Sequence, residues 1–149
     1  MKRVFAFVLA VAAAYVFGTL TYSQLNLANL VEMGVEVDFQ ARLTTSLHDL
    51  TSMYDLYLPL IAVALLLGLL IAGLVLRWVP QIRTLGYVVG GFAAIFAMDF
   101  LLGAVLTGGT HPLVVTRTTV GLITQCMAGA IGGLVFAHFT QPSSDSVLD

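Results

Sequence analysis

Four apolar runs dominate the chain: Val4 to Tyr22, Leu56 to Trp78, Leu85 to Leu106 and Thr118 to Phe139. Each is close to the roughly 20 residues that a helix needs to cross a bilayer core. A chain with this pattern must place most of its length in an apolar solvent. The composition agrees. Charged residues make up 9% and apolar residues 59%, against about 25% and 45–50% in ordinary soluble domains. Too few polar residues exist to cover an apolar core. That excludes a soluble globular enzyme and a disordered chain. It also excludes a nucleic-acid binder, which would show a basic face. The expected fold is an all-α integral membrane protein. We predict one antiparallel four-helix transmembrane bundle over residues 1–142, with a disordered tail over 143–149.

The punctuation supports these spans. Pro59 falls in the first turn of the second run, where its missing N–H costs least. Pro80, Pro112 and Pro142 fall between or after runs. Tyr22, Tyr54, Tyr57, Tyr87 and Trp78 lie near run ends, the headgroup depth that aromatic rings favour. Lys2, Arg3, Arg77 and Arg83 fall on one side, against Arg42 and Arg117 on the other. That bias predicts both termini in the cytoplasm, and the localisation expected is a cell membrane, read as a bacterial inner membrane. Lys2-Arg3 before an apolar run also resembles a signal peptide. The run is long for one, so a retained first helix is expected.

The loop over 23–55 is acidic, with Glu32, Glu36, Asp38, Asp49 and Asp55 against Arg42. Its residues around Val35 to Leu43 alternate as a strand would. Phe39, Leu43, Leu47, Leu50 and Tyr54 are also spaced by three and four, as on a helix. The helical pattern covers more residues, and Asp38 suits an N-cap. An amphipathic extramembrane helix is therefore predicted from about Phe39 to Thr51, lying on the bundle mouth or the membrane surface.

Within lipid, helices associate through small residues and polar contacts. One face of the first span carries Val8, Ala12, Tyr15, Thr19 and Tyr22. The second carries Ala64, Gly68 and Ala72, with Tyr57 on the same side. The third carries Gly86, Gly90, Ala93, Ala97 and Ala104. The fourth carries Thr118, Gly121, Gln125, Gly129 and Gly132, and its opposite face (Ile123, Met127, Ala130, Ile131, Leu134) suits lipid. Asp99 is placed with Phe92, Phe96 and Gly103, nearly opposite the Gly86/Gly90 stripe. Both faces of the third span thus call for protein, from a central position or from an oligomer interface.

Asp99 is the one charged residue deep inside a span. A carboxylate there costs from a few to more than about 10 kcal/mol, so it must be paired, protonated or facing water. Gln125 lies at similar depth, Tyr15 and Thr19 in the outer half of the first span. Arg117 can reach inward from the top of the fourth. These five define an expected outer-half polar cluster, and a pocket opening outward around Asp99. A hydrogen-bonded pin between helices is the plainer reading. His48, Asp55 and His111 could approach one another at the outer side, as metal ligands do. Solvated side chains are the commoner outcome, and no metal or cofactor is expected. Cys126 is the single cysteine, so no intrachain disulfide forms.

These residues favour a small polytopic membrane protein that is not an enzyme: an accessory or assembly subunit able to form a homo-oligomer. Its expected partners are the lipid bilayer, a second copy or another membrane protein, and no nucleic acid. One alternative is binding or transport of a small apolar or amphipathic ligand, lipid-like in character, in the pocket around Asp99. A second is a membrane-embedded enzyme with a His/Asp site at the outer mouth.

Overall fold

The computed structural model describes residues 1–34, 36–52, 54–106 and 118–141. Expectations for Val35, for the third loop with His111, Pro112 and Arg117, and for the tail fall outside these residues. The described chain is all helical. It comprises α1 (Lys2–Glu32), α2 (Phe39–Ser52), α3 (Tyr54–Val75), α4 (Arg83–Leu106) and α5 (Thr119–Phe139), with a 3-10 turn at Pro80–Ile82. α1, α3, α4 with its leading turn, and α5 are each long and apolar enough to cross a membrane. No strand occurs among the described residues.

α1 does not stop at Tyr22. It runs for 31 residues, about 46 Å at 1.5 Å per residue. Hydropathy falls after Tyr22, but no Gly or Pro interrupts the chain before Gly34, so the backbone continues its ladder. It ends where Gly34 takes φ +85°, a left-handed conformation that a Cβ would penalise. The Gly34 N–H then returns to the Val31 carbonyl at 3.0 Å.

α2 begins where Asp38 suggested. Its carboxylate accepts from the Phe39 N–H at 2.7 Å, and its carbonyl accepts from the Arg42 N–H at 3.0 Å. The helix packs against the C-terminal part of α1 through polar groups. Ser23 and Ser46 hydroxyls meet at 3.1 Å, the Gln24 amide donates to Ser46 at 3.1 Å, and Arg42 donates to Gln24 at 3.3 Å. Phe39, Leu43 and Leu47 are left exposed. Because α3 already starts at Tyr54, Pro59 falls in its second turn rather than its first.

α5 packs between α1 and α4, and α4 packs between α5 and α3. The α4–α5 seam is set by glycine. A Cβ on Gly91 would run into the Gly129 carbonyl, one on Gly129 into the Gly91 carbonyl, and one on Gly133 into the Tyr87 carbonyl. Side chains there would push the backbones apart and forfeit dispersion contact along the whole seam. On the other side of α5, Gly132 faces the Ala10 carbonyl and the Ala14 methyl. The buried stripe of α1 is therefore Ala6, Ala10, Ala14 and Gly18, with Tyr15 and Thr19 beside it. Val8 and Ala12, expected on that face, are exposed. The four-step of small residues admits α5 more closely than a face containing Val8 would.

The α3 and α5 stripes match expectation. Ala64 and Ala72 are buried, and Gly68 and Gly90 approach each other and Ala72. Gly121, Gln125, Gly129 and Gly132 are buried while Ile123, Met127 and Leu134 are exposed. α4 is central, with its Gly86/Gly90 side against α3 and its Gly91/Ile95 side against α5. That position accounts for the Gly86/Gly90 stripe and for the burial of Asp99 within one chain, while Phe92 and Phe96 stay exposed.

Overpacking a close seam typically costs about 1–3 kcal/mol. Gly129→Val is expected to lower unfolding free energy in mixed micelles by about that amount. Met127→Val, which puts the same side chain on the exposed face, should change it by less than about 0.5 kcal/mol.

Candidate functional site

Gln125 is the largest polar side chain on the buried face of α5 and is 1% exposed. The helix above it is started by Thr118, whose hydroxyl accepts from the Gly121 N–H at 3.1 Å. Four residues on, the glutamine amide meets two other helices. Its NH2 donates to the Gly18 carbonyl of α1 at 3.1 Å. Its carbonyl oxygen accepts from the Tyr57 hydroxyl of α3. The missing Cβ of Gly18 is what makes room, since one built there would strike the Tyr57 hydroxyl. A single side chain thus ties α1, α3 and α5 at one level.

Two further groups extend the knot. The Tyr57 and Tyr15 rings lie 6.0 Å apart, tilted by 48°. The Tyr15 hydroxyl donates to the Leu50 carbonyl at 2.7 Å, which carries the connection into α2. Thr19 is fully buried beside Gly18. Asp99 of α4 is 1% exposed.

Of the five residues expected in the polar cluster, Asp99, Gln125, Tyr15 and Thr19 are therefore all buried in the bundle; Arg117 is outside the described residues. Tyr57, the fourth residue of α3, is buried at the centre of the knot. Its place on the Ala64/Gly68 side of α3 was the available signal. The expected face of Asp99 also needs correction. Phe92 and Phe96 are exposed, while Asp99 continues the Gly91/Ile95 side that meets α5. At about 100° per residue it sits at the border of the two stripes, and α5 claims the glycine side.

The large concavity of the described residues, about 1040 Å³, runs between α3 and α4, and neither Asp99, Gln125, Tyr15 nor Thr19 lines it. Of the candidates expected at the outer side, His111 lies outside the described residues. His48 is exposed on α2 and Asp55 on α3. Among the described residues, no three His, Cys, Asp or Glu side chains gather as metal ligands would.

At the opposite end a separate contact joins α4 to α5. Arg83 donates to the Thr140 carbonyl at 2.5 Å and to its hydroxyl at 2.8 Å, and its guanidinium stands 5.6 Å from the Tyr87 ring centre. A cation there also meets the negative end of the α5 dipole. Nothing in the residue spacing foretold this partner, because Thr140 follows the last apolar run. Comparison with known protein families, with curated proteins and with solved structures finds no match to this chain.

Interhelical hydrogen bonds in membranes average about 0.6 kcal/mol, with a maximum near 1.7. A double-mutant cycle of Tyr57→Phe and Gln125→Leu, read by unfolding in mixed micelles, should give a coupling in that range. Strict additivity would show that the two side chains do not interact.

Proposed function

We propose that this chain is a non-enzymatic integral membrane protein, an accessory or assembly subunit built as an antiparallel four-helix bundle. The observation that carries this reading is where the interior polar groups go. Gln125, Tyr57 and Tyr15 spend their hydrogen-bonding capacity on other helices, not on the wall of a cavity. Asp99 is buried among them. An interior organised this way holds helices in register and presents no reactive group to a substrate.

Two observations support the membrane setting. Leu66, Leu67, Leu70, Ile71, Leu74 and Val75 are all exposed on α3. That is a continuous apolar surface of the kind water-soluble monomers avoid. The contacts also run in opposite numerical order. Residues 10, 14 and 18 of α1 meet 132 and then 125 of α5, and 68 and 72 of α3, with 76 just past its end, meet 90 and then 86 of α4. Successive spans crossing in alternate directions would produce this register. With Lys2, Arg3, Arg77 and Arg83 at one end, the basic-inside bias puts both termini in the cytoplasm of what we read as a bacterial inner membrane.

Purification in native lipid discs tests the subunit role. The expected result is a complex of fixed stoichiometry, with another membrane protein or with further copies. Asp99→Asn should leave its yield within about twofold, because asparagine still hydrogen-bonds. A monomer without protein partners, or assembly abolished by Asp99→Asn in a folded chain, would contradict the proposal.

Topology has its own test in a Cys126→Ala background. A cysteine at Glu36→Cys should react with an impermeant maleimide on intact cells, and one at Gln141→Cys only after lysis. The reverse pattern would invert the orientation.

A further inference from the structure

The α3–α4 groove has a chemistry of its own. Its floor is the close seam of Gly68, Ala72, Gly86 and Gly90, where the two helices nearly touch. Every residue lining it is apolar, from Leu56 to Val79 along one wall and from Ile82 to Leu102 along the other. At 1.5 Å per residue the helical part of the α3 wall, from Leu56 to Val75, extends about 28 Å, close to the thickness of a hydrocarbon core. The walls are unequal. Val63, Leu67 and Ile71 stand on α3, whereas Ala93 and Ala97 leave the α4 side shallow.

The two ends of the groove differ in charge. One end closes on the turn between α3 and α4, where Leu76, Val79 and Ile82 line it. Arg77 is exposed there, Trp78 is 88% exposed, and Arg83 follows the turn. At the other end, exposed Asp55 adjoins Leu56. A ligand suited to this site has a long apolar body and an anionic head at the arginine end. Basic sites beside helices on the cytoplasmic side take anionic lipid headgroups by this means, and an interfacial tryptophan favours the same depth.

The geometry points to the α3–α4 groove as a binding site for an anionic phospholipid of the inner leaflet, its acyl chains along Val63, Leu67, Ala93 and Ala97 and its phosphate on Arg77. A second copy is the competing occupant, since small residues invite helices. A parallel copy packed symmetrically through this face would set Arg77 beside Arg77, whereas a phosphate neutralises it. The inference rests on the membrane reading above.

Native mass spectrometry of the purified full chain, titrated with phosphatidylglycerol or phosphatidylcholine of identical acyl chains, tests it. Phosphatidylglycerol should bind about fivefold more tightly, as expected for one arginine near a lipid surface. Arg77→Gln should erase the preference and Arg77→Lys should keep it. Ala97→Phe, which fills the groove, should weaken both lipids. Equal binding of the two lipids, or an unchanged preference in Arg77→Gln, would overturn the site. So would efficient dimer cross-linking through Ala93→Cys in a Cys126→Ala background, which assigns the groove to a second copy. Alkaline carbonate extraction separates the two failures. A chain retained in membranes yet indifferent to headgroup loses only the lipid site; an extracted chain loses the membrane reading as well.

Discussion

The bundle depends on how closely the α5 backbone can be approached from two sides. Hydrocarbon offers no hydrophobic force between helices, so cohesion must come from contact and from polar pairing. Gly129 and Gly133 let α4 reach backbone against backbone, and Gly132 does the same for α1. α3 joins through α4, where Gly86 and Gly90 repeat the device. A large side chain at any of these glycines would separate two helices and loosen the third that leans on them. Above the glycines, Gln125 replaces close approach with hydrogen bonds, and Gly18 clears the space into which its tyrosine partner fits.

This division explains why α2 and the long α1 belong to the same structure. Past the knot, α1 carries Ser23 and Gln24 rather than small apolar residues, and α2 answers with Ser46 and Arg42. The α1–α2 hairpin beyond the knot is thus held by polar pairs, and the bundle below it by glycine seams. The Tyr15 hydroxyl on the Leu50 carbonyl bridges the two regimes. At the other end, Arg83 on Thr140 fixes where α4 starts relative to where α5 stops.

Much of this was legible in the residues. Long apolar runs have one solution in lipid, so the four long helices follow from hydropathy. The buried faces of α3 and α5 follow from small residues at four-residue steps, and the start of α2 from Asp38. The length of α1 was not legible to a hydropathy argument, because Gln24, Asn26 and Asn29 end an apolar run without ending a helix. Periodicity was also insufficient where two stripes adjoin. Asp99 could belong to the phenylalanine side or the Gly91 side, and only the position of α5 decides it. The partner of Tyr57 was hidden for a related reason. A tyrosine near a span end suits the interface equally well as a ring or as a buried hydroxyl, and the choice was made by Gln125, 68 residues away.

The central claim is that α4 and α5 meet backbone to backbone through glycine in a lipid bilayer. Solid-state NMR on protein reconstituted in bilayers, with carbon-13 in glycine, measures this directly. The account predicts a strong cross-peak between Gly91 and Gly129 at mixing times that report short carbon–carbon distances. Absence of that cross-peak, with both glycines showing contact to lipid acyl chains instead, would contradict it.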